Sequence, residues 1–260
     1  MKKISYLLLL LISQTGWAVG GYQSPKAMHY LTGFYFKAGI GGTIGQFDTS
    51  QTYLFDQTMI FPFTLDQSVE HQSQGTQVAG VLGFGYSYQI DALWMIGAEF
   101  TAGFTSANTS YHNYSNFDGA PILNSTVQST LNNDFALVVK PGLAIQQRTQ
   151  FYALLGARWG NFENEVSSHF EDTFFGISGD QKSSVSNYVL GFTVGIGVER
   201  LLTDHWALGL EYAYTAYGNI PSVSNDYLIE LDGEFIDSVT DTLTATAAAS
   251  TLLLESSYRF

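Results

Sequence analysis

The chain has 260 residues, a formal charge of −13 and no cysteine, which excludes a disulfide framework, a thiolate metal site and a cysteine nucleophile and disfavours nucleic acid as a partner. Charged residues make up only 13% and aromatics 15%, an uncommon pairing for a soluble acidic protein. No apolar run reaches the roughly 18 residues of a spanning helix.

At the N-terminus Lys2 and Lys3 precede a short apolar run, Ile4 to Ile12, and polar Ser13 to Thr15. Gly16, Trp17 and Ala18 form a small-x-small cleavage site, with Ala18, Val19 and Gly20 as the second choice. The reading is a secretory signal peptide over residues 1–18, too short for a membrane helix. A short polar leader over 19–32 follows, and then one all-β unit over 33–260. Loss of both lysines takes the formal charge to −15.

Eight segments then alternate between an apolar and a small or polar class with the period of a strand. They are Gly33 to Gly45, Gln77 to Ile90, Trp94 to Phe104, Asp134 to Gln146, Phe151 to Gly160, Tyr188 to Glu199, Trp206 to Thr215 and Thr244 to Phe260. Pro141 falls on the apolar face of the fourth. It has no N–H for the ladder, so a bulge or break is expected there. Three connections are tight. Four are long, at about 46–76, 106–133, 161–187 and 216–243. Short and long connections in alternation are what a transmembrane β-barrel shows. The alternation of the terminal segment from Ser250 to Phe260 matches the roughly 9–11 tilted residues that cross a bilayer.

Size decides which face is outside. The apolar class holds eighteen aromatics, from Phe34 and Phe36 to Tyr258 and Phe260. An eight-stranded barrel has an interior only just wide enough for side chains, so this face must meet lipid. Tyr88, Trp94 and Trp206 lie near the short turns, where an aromatic girdle belongs. The inward class carries Lys37, Lys140, Arg158 and Arg259 with Glu99, Glu199, Glu211 and Glu255. Buried charges must pair, so four cations and four anions suggest a structural salt-bridge network that fills the lumen. The partners cannot be named without the register.

The architecture and the terminal Tyr258-x-Phe260 resemble the OmpA-like transmembrane domain and the wider eight-stranded outer-membrane barrels. The resemblance covers most of residues 33–260. It implies a closed antiparallel barrel of eight strands, with ten as the alternative count. Long extracellular loops and short periplasmic turns follow from it, and no peptidoglycan-binding domain is expected after the barrel. It also implies outer-membrane lipid and lipopolysaccharide as surroundings, and recognition of Tyr258 and Phe260 by the barrel assembly machinery. Some such barrels modify lipid A, and His112, Asn113, Tyr114 and Ser115 are set against that activity. Residues two apart share a strand face and residues three apart do not, so His112 and Ser115 are not expected to act together. His29, His71, His169 and His205 form no metal-ligand pair, and no cofactor is expected.

The long connections are acidic. The first carries Asp48, Asp56, Asp66 and Glu70, and the last Asp226, Glu230, Asp232, Glu234, Asp237 and Asp241, both without a cation. Asp232-Gly233 reads as a hairpin turn that could extend the last two strands. Two further strands could hide in Gln51 to Leu65 or Tyr227 to Val239. The expected role is structural or surface interaction through loops that meet an extracellular ligand or host surface. A small-solute channel and a lipid A-modifying enzyme are the alternatives.

Overall fold

The computed structural model describes residues 31–57, 63–115, 122–145, 148–172, 177–231 and 234–260. The expected signal peptide, most of the leader and the Asp232-Gly233 turn lie outside them. Eight strands form one closed ring. They are β1 (Gly33–Gln57), β2 (Phe63–Gln89), β3 (Trp94–Ser115), β4 (Ile122–Ile145), β5 (Thr149–Asp172), β6 (Ile177–Leu201), β7 (Trp206–Leu231) and β8 (Glu234–Arg259). Each is antiparallel to the next, and β8 closes on β1. A walk along paired residues from Tyr35 passes through Gly85, Glu99, Val138, Gly156, Thr193, Thr215 and Ala249. It re-enters β1 at Gly45, ten residues on. That stagger tilts the strands by roughly 40° to the barrel axis.

The half of each strand next to the short turns carries the apolar alternation. Phe34, Phe84, Phe100, Leu190 and Leu254 point outward and are about half exposed. Across the outward positions Phe34–Ile44 of β1, Trp94–Phe104 of β3 and Tyr188–Val198 of β6 there is no charged residue. Contiguous apolar surface of this extent is stable only against lipid, so the aromatic face is the membrane face. Above this belt the outward positions turn polar: Gln46, Asp48, Gln74, Asn108, Gln128, Glu163 and Thr246.

The connections differ from the expected long loops. Strands run through nearly all of them and reach 22 to 27 residues. The described parts of Gln51 to Leu65 and Tyr227 to Val239, the candidate places for a ninth and tenth strand, are the far ends of β1, β2, β7 and β8. Outside the lipid both faces of a strand can be polar, so Thr49 and Gln51 inside and Asp48 and Ser50 outside give no hydrophobic contrast. Irregular steps hide the period further. The register shifts at Leu131/Asp134, and the buried positions of β4 change from odd to even numbers there. On β7 it shifts at Ala216/Gly218 and Ile220/Val223. Gly218 has φ +70 with open space around it, so its backbone conformation is what calls for glycine. At Pro141 the β4–β5 ladder misses Lys140 and Pro141 and resumes at Gly142 in the same register, so proline breaks the ladder without adding a bulge.

Candidate functional site

The lumen is filled in layers from the short-turn end upward. Leu31, just before β1, packs inside against Met95, Ala144, Leu201 and Ala207. Its carbonyl accepts from Arg259 Nη1 at 2.8 Å and from the Ser87 hydroxyl. Residue 31 falls in the expected polar leader, yet it is buried in the mouth. Arg259 also reaches Glu199 at 3.1 Å, while Gln150 and Ser257 donate to the same carboxylate.

The next layer gathers five of the inward charges. Lys37 Nζ lies 2.7 Å from Glu99, 2.7 Å from Glu255 and 3.3 Å from Glu211. Lys140 Nζ lies 2.7 Å from Glu99 and 3.0 Å from Glu211. The Tyr35 hydroxyl donates to Glu99 at 2.8 Å and that of Tyr152 to Glu211 at 3.1 Å. Both tyrosines lie against glycine: a Cβ on Gly85 would meet the Tyr35 ring at 2.6 Å, and one on Gly197 the Tyr152 ring at 2.4 Å. Glycine in the wall is therefore what lets these rings lie flat and reach the carboxylates. The Lys140 ammonium sits 4.7 Å from the Tyr152 ring centre.

Arg158 stands apart from these groups and pairs with Asp134 at 3.2 Å. Asp134 is absent from the expected set of eight, although it shares the numbering parity of Ala136, Val138 and Lys140. It is the first residue of the expected fourth segment, where no preceding alternation fixes its face. So the eight expected residues fall into separate groups, with a fifth acid. Above them lie apolar layers. Phe47, Phe162 and Tyr217 stack edge to face at 6.3 and 4.8 Å, followed by Tyr111, Val127, Val166, Val223 and Leu243.

Near the hairpin end is a buried polar cluster around Asp241, which the sequence places in an acidic loop but the fold buries inside β8. Gln51 Nε2 donates to both carboxylate oxygens at 2.8 and 2.9 Å, and Ser168 donates at 2.9 Å. Burial holds the Asp241 carboxyl above its usual range, against the opposite pull of those two donors. No cation faces it among the described residues. An acid whose folded pKa is raised binds its proton more tightly in the barrel than in the unfolded chain. Its contribution is most favourable at acidic pH and is lost as pH rises from the ordinary aspartate range towards the folded value. Asp241→Asn is therefore expected to match the parent at acidic pH and to exceed it in melting temperature near neutrality. A stability difference that does not change with pH would count against this.

At the outer wall Tyr88, Trp94 and Trp206 are about half exposed beside the short turns, and Tyr258 packs between Trp206 and Phe260 at 5.2 and 5.3 Å. Phe260 donates its N–H to Phe34 O at 3.0 Å. His112 is on β3 and not in a loop. It faces outward and bonds Thr126 at 2.8 Å.

The sequence matches the family model for the outer membrane protein beta-barrel domain over residues 7–247. No curated protein matches it significantly. Among solved structures it is similar to Ail, the attachment invasion locus protein of Yersinia pestis, at 14% identity and TM-score 0.31, covering 85% of this chain and 99% of that one. It is likewise similar to Neisserial surface protein A at 14% and 0.32, covering 88% and 98%. The outer membrane protein OprG of Pseudomonas aeruginosa gives 10% and 0.32, covering 88% and 97%.

Proposed function

Because this chain belongs to the outer membrane protein beta-barrel domain family, we propose that it is a closed, non-conducting barrel of the bacterial outer membrane that acts through the surface it raises above the lipid. The observation that carries this reading is the lumen. The cavity lined by Tyr35, Lys37, Glu99, Lys140, Tyr152 and Glu255 measures about 10 Å³, room for one water at most. Leu31 stops the mouth below, and the Phe47, Phe162 and Tyr217 layer closes the barrel above. The eight inward charges, with Asp134, act as a structural plug and not as an ion path.

The short turns face the periplasm and the hairpins face outward in this reading. Exposed Asp48, Glu70, Glu163, Asp180 and Asp226 give the protruding wall an acidic, hydrogen-bonding surface suited to an extracellular ligand or host surface. Tyr258 and Phe260 serve the assembly machinery, and Tyr88, Trp94 and Trp206 anchor the periplasmic lipid boundary.

Purified barrel in planar bilayers is expected to give no stable conductance steps. Steady porin-sized steps that change when Lys37 or Arg158 is replaced would overturn the plug and favour a channel.

A further inference from the structure

The outer wall is not evenly convex. Around β4–β8, near the short turns, there is an apolar groove of about 830 Å³, within the range of roughly 300–1,000 Å³ for ligand pockets. Leu143, Phe151, Ile196 and Leu208 line it. Ala153 lines it too, at the place where the β4–β5 ladder is broken opposite Pro141. Small Ala153 and the ring of Pro141 leave a hollow where neighbouring outward positions carry Leu, Ile or Phe.

One cation also lines the groove. Arg200 is outward-facing, half-buried and paired in register with Thr149 and Leu208. Among the described residues no carboxylate forms an ion pair with it, whereas Arg148 beside it is held by Asp204 at 3.1 Å. It therefore sits where the apolar belt meets the short turns, the depth of lipid headgroups. A guanidinium there matches a phosphate in charge and in its two-pronged hydrogen-bond geometry.

We propose that this groove is a binding site for one glycerophospholipid of the periplasmic leaflet. Its acyl chains lie along Leu143, Ala153 and Ile196, and its phosphate is held by Arg200. Ordinary boundary lipid would fill the hollow but would not depend on the arginine, so the two substituents of the site can be tested separately.

Detergent-purified protein is mixed with phosphatidylglycerol, phosphatidylethanolamine or lipid A and examined by native mass spectrometry. A single phospholipid adduct is expected to survive activation that strips detergent. Arg200→Gln should reduce its retention at least tenfold, and Ala153→Phe should block it. Arg148→Gln should leave it unchanged. A heat-dependent mobility shift on denaturing gels shows that each variant is folded. Equal adducts in all variants would reduce the groove to boundary lipid and overturn the proposal. Preferential retention of lipid A would do the same, as would a dimer abolished by Ala153→Phe, which would give the groove to a second copy of the chain.

Discussion

Lys37→Met is expected to destabilise the barrel by about 3–5 kcal/mol, the usual cost of removing one partner of a buried ion pair. Lys37 is almost fully buried and is within 3.3 Å of three carboxylates. Its loss leaves Glu99, Glu211 and Glu255 around Lys140 alone. The three are not equivalent, which makes the prediction sharp. Glu99 and Glu211 keep Lys140 as an ion-pair partner, but among the described residues Glu255 pairs with Lys37 only. Lys37→Met with Glu255→Gln should therefore recover much of the loss, and Lys37→Met with Glu99→Gln less. Urea titrations followed by tryptophan fluorescence in detergent micelles would read this. Strictly additive losses in both double variants would show that the charges do not act together.

The second large effect belongs to the lipid face. Ile40 lies midway along the apolar stretch of β1, pairs with Leu254 and is 62% exposed. Ile40→Arg is expected to cost about 2–4 kcal/mol, as for arginine near a bilayer midplane. Thr246→Arg, also outward but above the belt, should cost little in the same refolding titration. If the two substitutions cost the same, the boundary between lipid-facing and water-facing wall has been drawn in the wrong place.

How far the sequence could be read followed the solvent. In the belt, lipid keeps the outward positions uncharged and mostly apolar, with Ser250 and Ser256 as polar exceptions on β8, and the narrow lumen favours small, apolar or paired residues inside. Phe34 to Ile44 and Trp206 to Tyr214 therefore showed their strands and their faces directly. Beyond the belt, water accepts polar residues on the outside while the inside holds Gln51, Asn164 and Ser168 together with Phe47 and Val166, so alternation no longer separates the faces. The one-residue shifts near Asn132 and Gly218 then break what pattern remains. The inward charges could be listed because parity alone places them. Their pairing depends on the ten-residue stagger of the ring, and no local stretch encodes that. Asp134 opens the expected fourth segment, so no preceding residue there fixes its face, and Leu31 lies in a leader whose polar composition gives no sign of burial.

The far halves of the strands have a consequence for attack from outside. From Ile44 to Gln57, β1 continues beyond the lipid while paired on both sides, a rise of roughly 30 Å at this tilt. A protease must draw an extended, unpaired segment of backbone into its cleft, and cleavage concentrates at exposed tips. A barrel of this length with open loops would offer long stretches of such backbone. Here the ladder covers both edges of β1, β4, β5 and β8 over this length, whereas β2 pairs with β3 only as far as Gly80 and Phe104 and β6 with β7 only as far as Phe192 and Ala216. Nicking by an added protease would therefore concentrate at the hairpin ends and along those four one-sided strands, and the cut pieces would stay joined through the neighbour that remains paired.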